Sequence, residues 1–232
     1  MRRDGVERAA ATRNRTRAVV RVFFAWAHAT GRIGRNPASA VSPAVYCEPA
    51  VCYMTRPELR RFLAVIRRSR CRLAQRDHAM FATLVYTGVR LSELLGIRWG
   101  DLDGRTGRLF LRTVKGGGSA TRHVSRQVLT ILTKLRRAAA GPPTTDAPLF
   151  TAGGVPLGAR AVQYRFAVWR SRAGIRRRMS VHTLRHTFAT LLYRRTADLP
   201  LVGRALGHRD VRTTYRYAHV DDRCLAAAIE RL

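Results

Sequence analysis

Only one stretch of this 232-residue sequence has the pattern of β-strands. Residues 108–114 predict a strand, the three glycines at 116–118 predict a turn, and residues 121–125 predict the returning strand. In the rest of the chain, apolar residues recur at helical spacing between signals that start and stop helices. The sequence therefore predicts an α+β fold that is mainly α-helical, with one small antiparallel β-sheet.

The predicted helices occupy most of the chain. They cover residues 16–29, 55–68, 77–88, 91–98, 126–139, 159–173, 182–195, 200–206, 211–218 and 221–231. The second of them begins with a capping box, in which Thr55 and Glu58 pair and Pro57 takes an early helical position. A domain is therefore expected to begin near residue 55, after a stretch at 46–54 that lacks periodicity and is predicted to be a linker.

The charge of the chain limits its possible partners. It carries 44 Lys and Arg residues against 14 Asp and Glu, a formal net charge of +30. Because this many like charges repel one another in a compact protein, a polyanion is the expected partner, with nucleic acid as the first candidate. A small-molecule metabolic enzyme is not favoured. All basic residues except Lys115 and Lys134 are arginine, which either reflects phosphate binding or genome base composition.

Several other classes of protein lack their signals in this sequence. No run of about 18 apolar residues predicts a membrane span, and residues 1–17 do not resemble a secretory signal. The cysteines fit neither a zinc-binding spacing nor a disulfide framework, and no phosphate-binding GxxxxGK[ST] loop occurs. We therefore expect a cytoplasmic protein with reduced cysteines that uses no metal, nucleotide or other cofactor.

Three motifs supply side chains suited to phosphate chemistry. They are TGVRLSELLGIRW at 87–99, HTLRHTFAT at 182–190 and LGHRDVRTTYRYAHV at 206–220. In the second motif, a histidine and an arginine three residues apart share one face of a helix. Together with the lysine of the predicted hairpin, the candidate site residues are Arg90, Lys115, His182, Arg185, His208 and Tyr217.

In this order, the three motifs resemble the tyrosine recombinase family, which includes phage integrases and Xer-type site-specific recombinases. The resemblance covers residues 55–232 and implies the catalytic-domain fold of that family. It also implies an enzyme that breaks and rejoins double-stranded DNA at specific sites without a cofactor. The expected assembly is a monomer when free and a homotetramer on two duplexes during synapsis, with no membrane involvement.

The resemblance implies a role for each candidate residue. Tyr217 is the nucleophile, which forms a 3′-phosphotyrosyl bond and releases a 5′-hydroxyl. Such a covalent intermediate is also what strand exchange without a high-energy cofactor needs, because it conserves the energy of the phosphodiester. Arg90 and Arg185, helped by His208, stabilise the charge of the phosphoryl transition state.

Two residues are implied to move protons. His182 accepts the proton of the tyrosine, and Lys115 protonates the departing 5′-oxygen. Lysine suits the second role better than arginine because its environment can lower its pKa, whereas arginine keeps its proton. One of only two lysines in the chain lies in the predicted hairpin, where the family needs this proton donor.

Some of these assignments have alternatives. Tyr215 competes with Tyr217 as nucleophile, but residues two apart point to nearly opposite faces of a helix, and the motif favours Tyr217. Glu93, one turn after Arg90, is expected to orient that arginine. Each histidine of the motifs also fits a purely structural role as a helix cap or core side chain.

The N-terminal part departs from the family. Residues 1–45 have room only for the last helix of a helical core-binding domain, followed by the linker at 46–54. A misplaced start codon, decay of the gene and a minimal recombinase are three explanations. The C-terminal helix is expected to pack on its own domain or to reach a neighbouring protomer.

The leading hypothesis is a site-specific DNA recombinase or integrase. One alternative is a catalytically impaired DNA-binding remnant of an integrase. The other is a type IB topoisomerase, which shares the tyrosine nucleophile but does not exchange strands between two sites.

Overall fold

A computed structural model describes residues 9–45, 51–114, 117–139, 141–208, 212–215 and 217. The chain forms two compact units, Met1–Ala50 and Val51–Leu232. The predicted linker at 46–54 spans the boundary between them, and residues 46–50 lie outside the described residues. The assignment of residues 1–45 to a core-binding remnant stays a prediction.

The first unit contains a long helix, α1 (Ala10–Ala29), and the segment that follows it. The helix begins well before the predicted start at residue 16. The prediction followed the apolar spacing, which the polar residues at 12–15 do not show although they belong to the same helix. The Asn14 side chain donates to the carbonyl of Ala44 (2.9 Å) and accepts from its N–H (2.8 Å). These two bonds fix the segment against the helix. Several large apolar side chains of α1 are exposed, namely Val19, Val22, Phe23 and Trp26.

The second unit is helical apart from two small antiparallel sheets. Its elements are α2 (Arg56–Arg68), α3 (Ala74–Thr87), α4 (Leu91–Leu95), β1 (Leu102–Asp103), β2 (Arg108–Leu111), β3 (Ala120–His123), α5 (Arg126–Arg137), β4 (Thr151–Ala152), β5 (Val155–Pro156), α6 (Ala159–Arg172), α7 (His182–Thr196), α8 (Leu199–Leu206) and α9 (Arg212–Tyr215). The strand order is β1-β2-β3 in one sheet, and β4 pairs with β5 in the other. The predicted fold class is confirmed.

The strands differ from the prediction in number and length. Neither β1 nor the β4–β5 pair was expected, because two-residue strands are too short to show an alternating pattern. The predicted strand at 121–125 also runs too far. Strand β3 ends at His123, and Ser125 instead caps α5 by accepting a bond from the N–H of Val128 (3.4 Å).

One helix near the candidate site ends earlier than predicted. The helix expected at 91–98 ends at Leu95, and Gly96 occupies its C-cap. The helix expected at 211–218 is described only as α9, and the one expected at 221–231 lies outside the described residues.

The predicted capping box of α2 is present, with the Thr55 N–H 2.8 Å from Oε2 of Glu58.

The core of the second unit forms around α3. Phe81 of this helix is fully buried and packs against Phe62 of α2 and Phe166 of α6, with ring centroids 5.4 and 5.9 Å apart. Burial of large aromatic side chains is a main source of folding free energy. Because α3 is held on several sides, its C-terminal end at Thr87, where the first motif begins, has a fixed position.

A buried carboxylate joins α3 to α6. The Asp77 side chain is fully buried and accepts bonds from Arg76 Nη2 (2.7 Å), Arg165 Nε (2.6 Å) and Trp169 Nε1 (2.7 Å). A carboxylate removed from water is tolerated only when charged and hydrogen-bonding partners surround it. These three donors satisfy that condition, so the network is a structural joint of the second unit.

We predict that Asp77→Asn lowers the free energy of unfolding by about 3–5 kcal/mol, because it breaks a fully buried carboxylate's ion pairs and leaves two partly buried arginines without their counter-charge. The measurement is urea denaturation followed by circular dichroism. Asp146→Asn is the matched control: this aspartate pairs with Arg98 but its side chain is 75% exposed, and its loss should change stability by less than about 1 kcal/mol. Equal effects of the two substitutions would contradict the prediction.

Candidate active site

Arg90 lies between the end of α3 and the start of α4. Its backbone N–H donates to Oε2 of Glu93 (2.8 Å), and its Nη1 donates to Oε1 of the same residue (2.7 Å). The Glu93 side chain is 1% exposed, whereas that of Arg90 is 22% exposed. The carboxylate is therefore a buried support for a guanidinium that still reaches the surface. This geometry agrees with the expectation that Glu93 orients Arg90.

Arg185 lies on α7, and its guanidinium joins the ends of two other helices. Nη1 donates to the carbonyl of Gly88 (2.5 Å), and Nη2 donates to the carbonyl of Leu206 (2.8 Å). Gly88 is the C-cap of α3 and Leu206 is the last residue of α8. Carbonyl groups at helix C-termini lack partners within the helix and carry partial negative charge, so a buried cation is well placed there.

The turn at Gly88 favours glycine for two reasons. Its φ is +66°, and a Cβ at this position would lie 2.4 Å from Cδ1 of Phe188. The chain therefore needs the absence of a side chain both for the left-handed turn and for the close approach of α7. This turn is what aims the Gly88 carbonyl at Arg185 and leads the chain into Arg90.

Positive charge is concentrated around this buried region. Burial, with repulsion from Arg90, lowers the pKa of Arg185 to about 10, so it stays protonated at neutral pH. Burial also lowers the pKa of Arg122 on β3, with attraction to Glu93 opposing and repulsion from Arg90 reinforcing the shift. Three guanidinium groups therefore interact with a single carboxylate, and their excess positive charge suits a phosphate group.

His208 follows directly after the end of α8. Gly207 has a φ of +66°, and the His208 N–H donates back to the carbonyl of Gly203 (3.0 Å), which closes the helix with a tight turn. Nδ1 of His208 is 2.9 Å from Oγ1 of Thr214 on α9, whose side chain is buried. The imidazole is thereby held between α8 and α9.

Tyr217 is 2% exposed and packs in an apolar cluster with Ala189, Val202 and Leu206. Its hydroxyl lies 2.9 Å from Nδ1 of His186. That contact joins the third motif to the second.

His182 lies one helical turn before His186, and the two rings meet edge to face with centroids 4.7 Å apart. The two histidines of the second motif therefore lie close together near the tyrosine.

The structure brings together Arg90, Arg185, His208 and Tyr217 through contacts with α3, α7, α8 and α9. Lys115 lies outside the described residues. Two further residues of the site received no role from the sequence: His186, which contacts the tyrosine hydroxyl, and Arg122. The spacing of His186 from His182 could have indicated a shared helix face.

Within the described ranges, no three His, Cys, Asp or Glu residues cluster in a way that could hold a metal ion. None of the helices in the described part of the chain is long and apolar enough to cross a membrane.

Comparison with known proteins gives the same family at the level of sequence and fold. Residues 53–223 match the phage integrase family. Tyrosine recombinase XerC of Xylella fastidiosa (strain 9a5c) is 33% identical over 202 residues, which are 87% of this chain and 67% of that protein. This chain therefore spans about two thirds of the length of that relative.

Two solved structures share the fold. The XerA recombinase is 25% identical with a TM-score of 0.67, and the match covers 82% of this chain and 66% of that one. The XerH site-specific recombinase, solved as a post-cleavage complex with palindromic difH substrate, has a TM-score of 0.77 at 23% identity. That match covers 95% of this chain and 67% of XerH.

The sequence-based resemblance is confirmed by these matches. The family comprises enzymes that cleave and rejoin DNA, and the fold of the second unit is that of their catalytic domain. With a family match over most of its length and a relative that is one-third identical, the chain belongs to the phage integrase family of tyrosine recombinases.

Proposed function

We propose that this protein is a site-specific DNA recombinase that cuts and rejoins double-stranded DNA through a 3′-phosphotyrosyl bond to Tyr217. The observation that carries the proposal is the convergence of two arginines, a histidine and a tyrosine from separate motifs on one region. Arg185 bonds to the carbonyl of Leu206, and Leu206 belongs to the same apolar cluster as Tyr217. The anion-binding groups and the nucleophile therefore share one framework.

In the first step of the proposed reaction, one bond forms and one bond breaks. The hydroxyl oxygen of Tyr217 attacks the scissile phosphorus, the bond between phosphorus and O5′ breaks, and the DNA is left with a free 5′-hydroxyl. Arg90 and Arg185 donate hydrogen bonds to the non-bridging oxygens, where negative charge develops. Arginine has five N–H donors, so the two carbonyls bound by Arg185 leave donors for a phosphate.

The second step reverses the first with a different strand. A 5′-hydroxyl attacks the phosphotyrosyl phosphorus, and Tyr217 leaves as the hydroxyl. We propose that His182 takes the tyrosine proton in cleavage and returns it in ligation. Lys115 protonates O5′ in cleavage, as the family resemblance implies, and in ligation it takes back the proton of the attacking 5′-hydroxyl. The phosphotyrosyl bond conserves the energy of the phosphodiester because a DNA hydroxyl, and not water, attacks it. The cycle therefore requires no cofactor.

The partner and assembly follow from the same proposal. The XerH structure was determined with its DNA substrate, and this chain has a net charge of +30, which suits the phosphate backbone of duplex DNA. We propose a monomer when free and a homotetramer on two duplexes during strand exchange. Such a protein would act in the cytoplasm, where bacterial DNA lies.

We predict that Tyr217→Phe abolishes covalent attachment to DNA, because it removes the attacking oxygen. The measurement is adduct formation on denaturing gels with a nicked suicide substrate that carries the cognate crossover site. Tyr215→Phe is the control, since the Tyr215 side chain is 55% exposed, and it should form adduct like the wild type. Adduct formation by the Tyr217 variant would disprove the mechanism.

The same assay distinguishes the alternative functions. A DNA-binding remnant would bind DNA with strong salt dependence yet form no adduct in the wild-type chain. A topoisomerase would form the adduct and relax supercoils without exchanging strands between two sites. Recombination between two sites supports only the proposed function.

We predict that His182→Ala slows cleavage by about 10²-fold or more, because it removes the proposed proton acceptor. His186→Ala should slow it by less than about tenfold, since His186 only holds the hydroxyl in the DNA-free protein. The measurement is the single-turnover cleavage rate as a function of pH. The opposite ranking of the two variants would transfer the proton-accepting role to His186, whose Nδ1 lies 2.9 Å from the hydroxyl.

A further inference from the structure

Arg122 is a buried arginine on β3 that lies outside the three motifs named above. The residue is 8% exposed, and in strand β3 it pairs with Leu109 of β2. Its Nη2 donates to the carbonyl of Leu206 (3.3 Å), and its Nη1 donates to the carbonyl of Thr121 (3.2 Å). Its Nε is buried and has no hydrogen-bond partner among the described residues.

Burying the charged guanidinium of Arg122 costs folding free energy. Burial lowers the pKa of Arg122, and Arg90 adds repulsion that the attraction of Glu93 opposes. Replacing a whole buried ion pair by apolar side chains of similar size often leaves stability unchanged or improves it, so a buried charge is weak evidence of a stabilising role. A purely structural role therefore gives little reason for arginine here, whereas a role in organising the site does.

The first contact that indicates such a role is the shared carbonyl of Leu206. This single acceptor receives Nη2 of Arg185 at 2.8 Å and Nη2 of Arg122 at 3.3 Å. A carbonyl oxygen has two lone pairs, so both bonds can form together. Arg122 thereby fixes the group against which Arg185 is aligned.

The second contact is with the turn that leads to His208. A Cβ on Gly207 would lie 2.2 Å from Nη2 of Arg122, so the guanidinium lies directly on the backbone of this turn. The next residue, His208, closes the turn by bonding to Gly203. The left-handed φ of Gly207 and the contact with Arg122 together determine where His208 leaves α8.

We propose that Arg122 is a positioning residue that holds the Leu206 carbonyl and the Gly207 turn, so that Arg185 and His208 act on the same phosphate. This inference rests on the proposed function and adds a residue to its machinery. Arg122 acts through these two neighbours and does not itself bind the reacting phosphate. Its role is to set geometry, and misplacement by about 1 Å can slow a reaction by about 10²-fold.

The first test compares variants at saturating DNA, where differences in affinity no longer matter. We predict that Arg122→Gln slows single-turnover cleavage by about 10²-fold, while the Kd for DNA changes by less than about threefold. Arg122→Lys should recover part of the rate, because it keeps the charge and one donor. Arg204→Gln, an exposed arginine of α8, is the control and should cleave like the wild type.

A double-mutant cycle tests whether Arg122 acts through His208. If it does, Arg122→Gln slows cleavage much less in a His208→Ala background than in the wild type, because the group that it positions is already gone. Fully multiplicative effects of the two substitutions would overturn this part of the proposal. A wild-type rate for Arg122→Gln would overturn the whole of it.

A readout that does not need activity separates this inference from the proposed function. The measurement is an NMR spectrum of protein with isotope-labelled histidine. The ring signals of His208, identified by their loss in His208→Ala, should shift in Arg122→Gln. The signals of His78 on α3 should not move. If the wild type forms no adduct, the proposed function fails, and the spectrum still decides about Arg122. An unchanged His208 spectrum would show that Arg122 does not position this residue.

Discussion

The guanidinium of Arg185 holds together the ends of α3 and α8, and the geometry of the site depends on this bridge. Both of its partners are carbonyls at helix C-termini, at Gly88 and at Leu206. Each lies at a turn in which a glycine with positive φ ends the helix. The two turns lead directly into Arg90 and His208. One side chain therefore aligns two further residues of the proposed phosphate site, Arg90 and His208, and its own charge is balanced by the helix ends.

Three buried acidic residues, Asp77, Glu93 and Asp101, support arginines from the interior of the second unit. Asp77 and Glu93 have side chains that are at most 1% exposed, and each binds arginine. Asp101, which is also buried, accepts a bond from Arg112 (2.8 Å). Because these carboxylates are withdrawn from the surface, they orient particular arginines without cancelling the positive field that DNA meets. The high net charge is therefore compatible with an ordered fold, since the counter-charges lie where order is needed.

The sequence was sufficient for the fold class and the family, because both depend on local patterns. Motif spacing identified Arg90 and Arg185, and helix signals placed the elements that carry them. What it missed depends on contacts between distant segments. Arg122 reaches a carbonyl 84 residues away, and no local pattern marks it among so many arginines. The short strands β1, β4 and β5 form because neighbouring segments pair, not because two residues have a preference of their own.

The burial of Tyr217 places a requirement on the proposed reaction. The ring is packed among apolar side chains and its hydroxyl lies 2.9 Å from His186. A phosphate can meet this oxygen only if the tyrosine moves or the surrounding side chains open. Leu206 takes part in both structures, since it belongs to the apolar cluster around Tyr217 while its carbonyl is bound by Arg185 and Arg122. In the proposed reaction, the bonds from Arg185 and Arg122 to this carbonyl hold the backbone in place when the tyrosine changes position. Release of the nucleophile therefore does not need to disturb the site that receives it.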